Sequence, residues 1–567
     1  MLALQSKTRS RRPRLSFIAA LGALAFAPIA AAQVQQNTLA AALSIGGTGR
    51  VLAGGAIAVT TSSVTPTPAG SAPLYHHQAA ARGGVRFEIQ GSPGRPIILA
   101  TGLISPFAAA VGTDFLHLQA AGAQVLVDGT NPSGIINFGA VIGASGSWSL
   151  DLPSGLPYPF PVTHFQGVVI DPTAPPFGIR LTAAASLEIR PEPETLFRNV
   201  LDAYTQAPVN PGYLGSLLSS TFKIGGADST QFLLDALFTA AGLDGEVPTA
   251  TRLAAIGPNT VNGSAVPTGA PTAGQSATLF IDIFDDYVGA FGAPARGERG
   301  RIYDLRVVEE LGAWKLDGDQ RDFEAQVSLV MQPGNTNPGG VDVSMNVWVE
   351  SPPGSSRSLV SASIAGPQLL GLPQNQFPTA TTAAFGVYTM NQGVHGGGDE
   401  LFMSVALGVA GAGSSRLPLV ETATAPRDYY DLTVTWSDGQ TSGPYRYYLR
   451  SAVDVDLSPA AALAAIPAPT LPTGTVTASG LPGATLSLSF DPGALVGAAE
   501  YGASSVFVSQ AGPPGFEFDA LRLNVAPPAT TLVLPIPGFA SGVQSYLDFS
   551  ARDVFDNEFR RSVTATY

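Results

Sequence analysis

The sequence predicts a multidomain, mainly β protein in which antiparallel β-sandwiches flank one α+β domain. Three observations predict this class. The chain has 567 residues, which is too long for one ordinary domain. Its 64 glycines and 47 prolines separate many short segments in which apolar and polar residues alternate, as they do in half-buried strands. One central stretch, residues 194–240, breaks that alternation and shows helical spacing instead.

The first 32 residues have the composition of a secretory signal peptide. Basic residues without any acid fill positions 1–14, an apolar run follows from Leu15 to Ala27, and Ala30-Ala31-Ala32 offers a small-residue cleavage site. Removing the five basic residues of this segment takes the formal net charge from −13 to −18. We therefore expect an exported protein, periplasmic or extracellular. The paired Arg11 and Arg12 leave both the general and the twin-arginine export route open.

Composition excludes several classes of function. A chain this acidic repels phosphate backbones, so nucleic acid is not an expected partner. The absence of cysteine from the sequence excludes disulfides, thiolate metal sites and thiol nucleophiles. No later run reaches the roughly 20 apolar residues that a membrane helix needs, so no integral membrane segment is expected after cleavage of the signal.

The N-terminal half begins with a segment of linker-like composition. Residues 33–83, rich in Ala, Gly, Thr and Ser, predict a tether or a loosely packed lead into the first domain. From Val85 onwards the period becomes two, and further units of this kind continue as far as Ile189. A small β-sandwich or barrel is therefore expected over residues 84–190.

Residues 191–335 predict the α+β domain. Apolar residues at helical spacing indicate helices over 194–206 and 211–220, and Ser229 is a candidate cap for a third. After a loop rich in Gly, Pro and Thr at 257–277, strands resume. Helices first and strands afterwards is an α+β order.

The phrase Gly312-Ala313-Trp314-Lys315-Leu316-Asp317-Gly318, with the preceding helices, resembles the cone-shaped superfamily of nuclear transport factor 2, ketosteroid isomerase and the SnoaL-like proteins. The resemblance covers about residues 194–335, and a long insertion at 243–275 departs from the usual length. It implies that a strand carrying this phrase closes a curved sheet. Many members of such superfamilies keep the fold without the chemistry.

The same resemblance implies an apolar pocket that holds a tyrosine and an acid of raised pKa. Residues of the right type are Tyr204, Tyr213, Asp235 and Tyr303. The resemblance does not assign any of them to a catalytic position.

Alternating segments return in the C-terminal half. Residues 336–455 predict a second β-sandwich, 456–470 an Ala/Pro-rich linker, and 471–567 a final sandwich. The closing phrase, Leu547 with Ala551-Arg552-Asp553 and Asp556-Asn557-Glu558, resembles the last hairpin of fibronectin-III-like modules in the immunoglobulin-like class.

The sequence contains none of the catalytic motifs sought in a secreted hydrolase. A Gly-x-Ser-x-Gly elbow is absent, and Gly143-Ala144-Ser145-Gly146-Ser147 fails at its last position. There are five histidines and no HExxH pair. The adjacent His76 and His77 fall in the expected tether, which predicts a solvated pair whose side chains point apart. We expect neither enzyme activity nor a cofactor.

Two kinds of oxygen-rich loop are candidate metal sites. His395, followed by a glycine loop and then Asp399 and Glu400, predicts either a weak metal site or an ordinary hairpin loop. Acid clusters at 282–286, 317–322 and 553–558 suit weak calcium sites or tight turns. Turns are favoured for all three clusters, because Asp-Gly is a common turn choice and the spacing lacks the EF-hand pattern.

Trp348 is the candidate contact for a ligand or partner. It lies out of phase with its apolar neighbours, on the polar face with Asn346 and Glu350. An indole on that face can stack on a sugar ring, seat a protein partner or fill a contact between domains.

These observations favour an exported, non-catalytic scaffold or interaction protein of the bacterial envelope or exterior. Its expected partner is another envelope protein or a polysaccharide. Two alternatives stay open: small-molecule binding or isomerase-like activity in the α+β domain, and carbohydrate binding through Trp348.

Overall fold

The computed structural model shows a mainly β architecture of several antiparallel sheets, and the helices of the described part all lie between residues 193 and 240. The predicted fold class is confirmed. The structure describes residues 40–48, 74–130, 140–152, 155–205, 209–240, 246–258, 265–289, 296–333, 341–352, 355–365, 382–388, 400–410, 429–448, 468–470, 484–491, 500–509, 531–536, 543–552 and 557–566.

The described residues between 40 and 190 form a β-sandwich around a shared apolar core. Its strands are β1 (Ala42–Ile45), β2 (Leu74–Ala80), β3 (Val85–Gln90), β4 (Ile97–Gly102), β5 (Ile104–Val111), β6 (Asp114–Leu118), β7 (Gln124–Asp128), β8 (Ser147–Leu152), β9 (Thr163–Ile170), β10 (Ile179–Leu181) and β11 (Ala184–Arg190). One sheet has the order β1-β3-β8 and the other β2-β11-β9-β4-β7, with β10 on β9; β5 and β6 pair as a hairpin. Alternate residues such as Phe87, Leu99 and Leu187 fill the space between the sheets.

Two of these strands lie in the segment expected to be a tether. Leu43 and Ile45 of β1, and Ala79 of β2, are buried in the sandwich core. β2 pairs in parallel with β11 along its full length. The prediction of a tether is wrong for these residues, because small and apolar side chains fit between close-packed sheets as readily as they fit a linker.

Three helices begin the α+β region: α1 (Pro193–Thr205), α2 (Pro211–Leu217) and α3 (Ser229–Ala240). They agree with the helical spacing of the sequence. α2 begins at a proline, and the Asn210 side chain accepts the Tyr213 N–H at 3.0 Å. α3 has a comparable start, in which Asp228 Oδ1 accepts the Gln231 N–H at 2.9 Å. The cap is therefore Asp228 rather than the expected Ser229.

The helices pack against a six-stranded mixed sheet. Its strands are β12 (Leu218–Ile224), β13 (Ala227–Asp228), β14 (Glu246–Pro258), β15 (Ser276–Gly289), β16 (Arg296–Glu310) and β17 (Ala313–Gly318), in the order β13-β12-β17-β16-β15-β14. β17 pairs in parallel with β12 and antiparallel with β16, so it joins the N-terminal hairpin to the later meander. β14 lies inside the insertion at 243–275, where the sequence indicated no strand.

The remaining strands fall mostly into one large sheet. They are β18 (Glu324–Pro333), β19 (Val341–Glu350), β20 (Leu359–Ala365), β21 (Thr382–Tyr388), β22 (Glu400–Ala410), β23 (Tyr429–Trp436), β24 (Thr441–Tyr448), β25 (Ala468–Thr470), β26 (Ala484–Asp491), β27 (Glu500–Ser509), β28 (Thr531–Ile536), β29 (Val543–Arg552) and β30 (Glu558–Thr566). Ten of them follow the order β24-β23-β20-β21-β22-β19-β18-β30-β29-β27, and β25-β26-β28 form a smaller sheet.

Strand pairing crosses two of the expected boundaries. β18 lies before residue 335 yet pairs with β19, so it belongs to the large sheet and not to the sheet of β12–β17. β30 lies in the segment expected to be a separate final module, yet it pairs in parallel with β18. Local alternation of apolar residues identifies a strand but carries no information about its neighbour, so the sequence placed both in the wrong group.

Two glycines beside β17 provide a matched test of this local geometry. Gly312 (φ 78°) and Gly318 (φ 85°) both have left-handed backbone. A Cβ on Gly312 meets no atom within 4 Å, whereas one on Gly318 lies 1.9 Å from the Lys223 carbonyl oxygen. We expect Gly312→Ala to cost about 1 kcal/mol of unfolding free energy and Gly318→Ala about 3 kcal/mol. Urea unfolding monitored by hydrogen exchange in β15–β17 measures both free energies. Equal costs would contradict the close contact between Gly318 and the Lys223 carbonyl.

Candidate functional site

Trp348 lies on β19, between Val347 and Val349, which are both fully buried. Its side chain is half-buried rather than open, and across the sheet its backbone faces Gln326 on one side and Phe402 on the other. Buried and half-buried residues therefore alternate along β19, as the sequence predicts, with Trp348 on the opposite face from the two valines. Its role as a contact for a sugar or a partner stays a prediction.

The candidate metal loop is largely outside the described residues. His395 and Asp399 fall there, and Glu400 is the first residue of β22, with its backbone opposite Glu350. Within the described ranges, no three His, Asp or Glu side chains are arranged to hold a metal ion. The acids of the 317–322 cluster serve other purposes, described below, and 553–556 is not described.

The adjacent histidines point apart, as predicted, but they are not solvated. β2 directs His77 into the sandwich core, where it is fully buried, and His76 towards the outer face of the sheet, where it is half-buried. Burial lowers the pKa of His77 to about 3. The prediction of a solvated pair is wrong because it depended on the tether, and 74–80 is a packed strand.

A serine, a histidine and a glutamate form a hydrogen-bonded chain on that outer face. His76 Nδ1 lies 2.7 Å from Ser186 Oγ, and His76 Nε2 lies 2.8 Å from Glu188 Oε2. Glu188 also accepts a hydrogen bond from Gln78 Nε2 at 3.3 Å and forms an ion pair with Arg190 at 2.9 Å. Such a sequence of groups is typical of an activated serine nucleophile.

The surroundings of the hydrogen-bonded Ser186, His76 and Glu188 side chains favour a structural role. Ser186 is only 3% exposed, whereas a nucleophile must reach a substrate. Ser186 faces His76 directly across the parallel pair of β2 and β11. The hydrogen bonds therefore join the side chains of these two strands.

The interior of the α+β region is filled by its own apolar side chains. Helical and strand residues contribute to one buried core, which includes Leu196, Leu214, Leu279, Ile281, Leu305, Val307 and Leu316. The rings of Tyr204 and Phe232 lie with centroids 5.4 Å apart, and those of Phe222 and Phe232 5.0 Å apart. This packing is that of a protein interior and leaves the helices in direct contact with the sheet.

One acid in this region has a strongly perturbed pKa. Asp202, on α1, is half-buried as a residue, but its Oδ2 atom is buried. Burial raises the pKa of Asp202 to about 7, although the nearby Arg198 acts to lower it. Tyr213 is buried beside it, and both burial and the Asp202 charge raise the pKa of this tyrosine. Its hydroxyl has no hydrogen-bond partner among the described groups.

Of the four residues suggested by type, Tyr213 lies near enough to Asp202 for the charge of this acid to raise the pKa of the tyrosine. Tyr204 and Tyr213 are buried in the core, and Tyr303 packs against it half-buried. Asp235 accepts a hydrogen bond from Gln231 on its own helix at 2.8 Å. Sequence reasoning missed Asp202, because it follows Glu194 and Arg198 on the polar side of α1, and helical spacing cannot show that a neighbouring element covers that side.

Three polar side chains join the first sandwich to this region. Asn199 of α1 accepts the Ala80 N–H at 2.6 Å and donates to the Gln78 carbonyl at 2.8 Å. Ser216 Oγ accepts the Gly84 N–H at 2.6 Å. Lys315 Nζ donates to the Arg82 carbonyl at 2.9 Å and to the Ser216 carbonyl. Burial lowers the pKa of Lys315, as expected where an ammonium group leaves water for backbone carbonyls.

Arg321 joins the region to the large sheet. It is buried, donates to the Arg446 carbonyl at 2.6 Å, and lies 4.1 Å above the centre of the Tyr447 ring. Asp319 supports it, since its Oδ1 accepts the N–H groups of Gly225 and Arg321, each at 3.0 Å. These acids of the 317–322 cluster are hydrogen-bond acceptors at a junction.

A second contact at the same junction uses Asp304 on β16. The Tyr448 hydroxyl donates to both of its carboxylate oxygens at 2.9 Å. Burial raises the pKa of Asp304, while this hydrogen bond opposes the shift. The Phe280 and Tyr448 rings are nearly perpendicular, and their centroids lie 5.7 Å apart. Polar and aromatic contacts thus hold β16 against β24.

No protein-family model matches this chain, and no curated protein matches it. Two solved structures are similar to it in part. A tetra-tandem repeat from the extending region of a large adhesion protein has 8% identity and a TM-score of 0.14, with 87% of this chain and 98% of that one covered. The BSP domain of a biofilm-associated protein has 8% identity and a TM-score of 0.16, with 91% and 84% covered. At these TM-scores neither likeness carries an argument.

The helices of the described part are all too short or too polar to cross a membrane.

The pKa of Asp202 gives a test of its burial. The folded state holds this proton more tightly than the unfolded chain between pH 3.8 and about 7, so stability falls as the pH rises through that window. We expect the unfolding free energy of Asp202→Asn to exceed that of the parent by about 1–2 kcal/mol at pH 8 and to equal it at pH 4. This range is reduced to allow for the partial exposure of Asp202. Hydrogen exchange in β15–β17 under urea measures the difference.

Asp151→Asn, which removes an exposed carboxylate in the first sandwich, serves as the control and should show the same pH dependence as the parent. A parent whose stability in β15–β17 does not change between pH 4 and pH 8 would contradict the burial of Asp202.

Proposed function

We propose that this chain is an exported, non-catalytic scaffold protein of the bacterial envelope or exterior, whose sandwiches and α+β region act as spacers and interaction modules. One observation carries the proposal: the α+β region is packed with its own side chains and is joined by buried polar groups to the units on both sides. A scaffold needs fixed geometry between its units, and such contacts supply it.

The joining contacts are of the kind that fixes geometry. Asn199, Lys315 and Arg321 are buried, and each donates to backbone carbonyls of another unit. A buried donor that loses its acceptor costs about 1–3 kcal/mol, so relative movement of the units is opposed at each contact. Scattered surface contacts would not oppose movement in this way.

The resemblance of residues 194–335 to the SnoaL-like superfamily fits this proposal. The features that support a cone fold here are three helices on a six-stranded mixed sheet, with the Trp314 strand joining the two parts of that sheet. Trp314 is buried, and its Nε1 donates to the Gly269 carbonyl at 2.9 Å. A filled cone serves as a structural unit, since fold alone does not bring activity. The fibronectin-III-like character of the last strands is proposed on the same terms.

Export and partners follow from the sequence. The basic, apolar and small-residue segments of positions 1–32 support export to the periplasm or beyond. The strongly acidic mature chain supports a partner other than nucleic acid, and we propose another envelope protein or a polysaccharide.

A second candidate function is binding of a small apolar molecule, with isomerase-like proton transfer, in the α+β region. The observation that favours it is Asp202, whose pKa of about 7 suits an acid–base group, beside the buried hydroxyl of Tyr213. Filling of the interior by apolar side chains counts against it.

Thermal unfolding of the mature chain with steroid, oligosaccharide and divalent-metal probes separates the two functions. A bound molecule raises the melting temperature by mass action. The scaffold proposal expects no shift beyond about 1 °C with the steroids. A steroid-dependent rise that disappears in Asp202→Asn would overturn it in favour of the second candidate. A rise with an oligosaccharide would overturn a purely structural role in favour of the carbohydrate-binding alternative.

The junction at Lys315 yields a direct prediction. Lys315→Met keeps the length of the side chain but leaves the Arg82 and Ser216 carbonyls without their donor, at a cost of about 2 kcal/mol. We expect amide hydrogens of residues 80–84 to exchange at least about tenfold faster, while those of β4 and β9 stay unchanged. Arg198→Met, which removes a cation paired with Glu194 on the helix surface, is the control. Equal exchange of residues 80–84 in the two variants would contradict the role of Lys315 in joining the two units.

A further inference from the structure

His77 lies beside β1, the most N-terminal described strand of the first sandwich. The ring is fully buried and faces the turn that follows β1. A Cβ added to Gly46 in that turn would lie 2.2 Å from His77 Cε1. Gly46 also has left-handed backbone, at φ 56°. The turn and the imidazole are therefore in direct contact, with room for no side chain between them.

The polar contacts of this ring suit only its neutral form. His77 Nδ1 lies 3.5 Å from Thr48 Oγ1, which is a long contact, and Nε2 is buried without a hydrogen-bond partner among the described groups. A protonated imidazole has two N–H donors and a full charge, and both need acceptors or water. The closed sandwich offers neither to Nε2.

Charged groups on the elements around His77 point away from it. On its own strand His76 points to the outer face and Tyr75 shares the inner face, and no described residue of β1 is charged. Alternation places the remaining charged or titratable groups of the surrounding strands on the opposite face from His77: Arg86 and the buried Glu88 on β3, Asp151 on β8, His164 on β9, and Glu188 and Arg190 on β11. The inner positions of those strands are apolar. No carboxylate of these strands is thus placed to balance a charge on the ring.

β1 is attached by strand pairing to a single described strand, although Leu43 and Ile45 are buried in the sandwich core. It has four residues and lies at the edge of the β1-β3-β8 sheet, where β3 is its neighbour among the described strands. Its turn is held by the Gly46 N–H donating to the Arg86 carbonyl at 2.8 Å and by the Ile45–Thr48 backbone pair. A short edge strand can open locally without unfolding the sandwich.

We propose that His77 is an acid-sensitive latch: protonation of its ring releases β1 and the turn at 46–48 from the first sandwich, while the rest of the sandwich stays folded. Release gives the ring access to water and exposes the edge of β3. The switch is reversible, since it makes and breaks no covalent bond.

The expected strength of the switch follows from proton linkage. Burial lowers the pKa of His77 to about 3, whereas an exposed histidine has 6.5. Opening therefore takes up one proton between those pH values, and the ratio of open to closed molecules rises about tenfold for each pH unit of acidification below 6.5. At neutral pH the latch is closed and contributes its full stability.

Hydrogen exchange of the full mature chain at pH 7.0, 5.5 and 4.5, corrected for intrinsic exchange rates, tests the latch. We expect protection of residues 42–48 to fall about tenfold between pH 5.5 and 4.5, while protection in β15–β17 stays within threefold. An unchanged protection of 42–48 would overturn the proposal, and so would an equal loss across β4, β9 and β11, since that is unfolding of the whole sandwich.

His77→Gln removes the titrating group and keeps a polar side chain, so residues 42–48 should keep their protection at pH 4.5. The matched control is His117→Gln, which removes the second histidine that is fully buried within the described ranges. The pKa of His117 is lowered to about 4, its Nδ1 accepts the Ala184 N–H, and it lies on β6, away from β1. The control should still open at pH 4.5, and a control that abolishes opening would overturn the assignment to His77.

Should His77→Gln fail to fold, the parent alone decides. The slope of the logarithm of the opening constant against pH is −1 for a single proton taken up. A slope near zero or near −2 would overturn the latch as stated.

Discussion

β17 is the strand on which the arrangement of the first sandwich and the α+β region depends. Its consecutive residues serve different neighbours: Ala313 packs into the core of the first sandwich, Trp314 and Leu316 into that of the α+β region, and Lys315 donates across the junction between them. A strand presents alternate residues to opposite sides, so six residues can fix two units at once. Asp317, at its end, accepts hydrogen bonds from Ser219 and Thr221 on β12.

The phrase around Trp314 is therefore informative for a physical reason. A large aromatic residue, a lysine and Gly318 are each required by a separate contact, and Gly312 by its left-handed backbone. The sequence thus indicated the α+β region and its three helices well, since helix spacing and capping are local. It did not reveal that β14 occupies the insertion, or that Asp228 caps α3 in place of its neighbour.

The long-range features were beyond the reach of local patterns. β1 and β2 were expected as tether because alanine and glycine have no strong preference between linker and close-packed strand. Ser186 and His76 lie 110 residues apart, so only the fold shows that they are hydrogen-bonded. The perturbed pKa of Asp202 likewise depends on burial by other elements. The alternation of residues placed Trp348 on the opposite face from its valines, but it did not show how far its side chain is buried.

The return of β30 to β18 has a consequence for biogenesis. The Leu329 N–H donates to Asn557 Oδ1, across a sequence separation of 228 residues. The large sheet therefore lacks one of its inner members until the C-terminal end of the polypeptide has arrived. A chain that emerges from its N-terminus completes the first sandwich and the α+β region early, while β18 waits with an open hydrogen-bonding edge. Unpaired edges of this kind attract other chains, so the edge of β18 is a defined segment at which chains can associate during that interval.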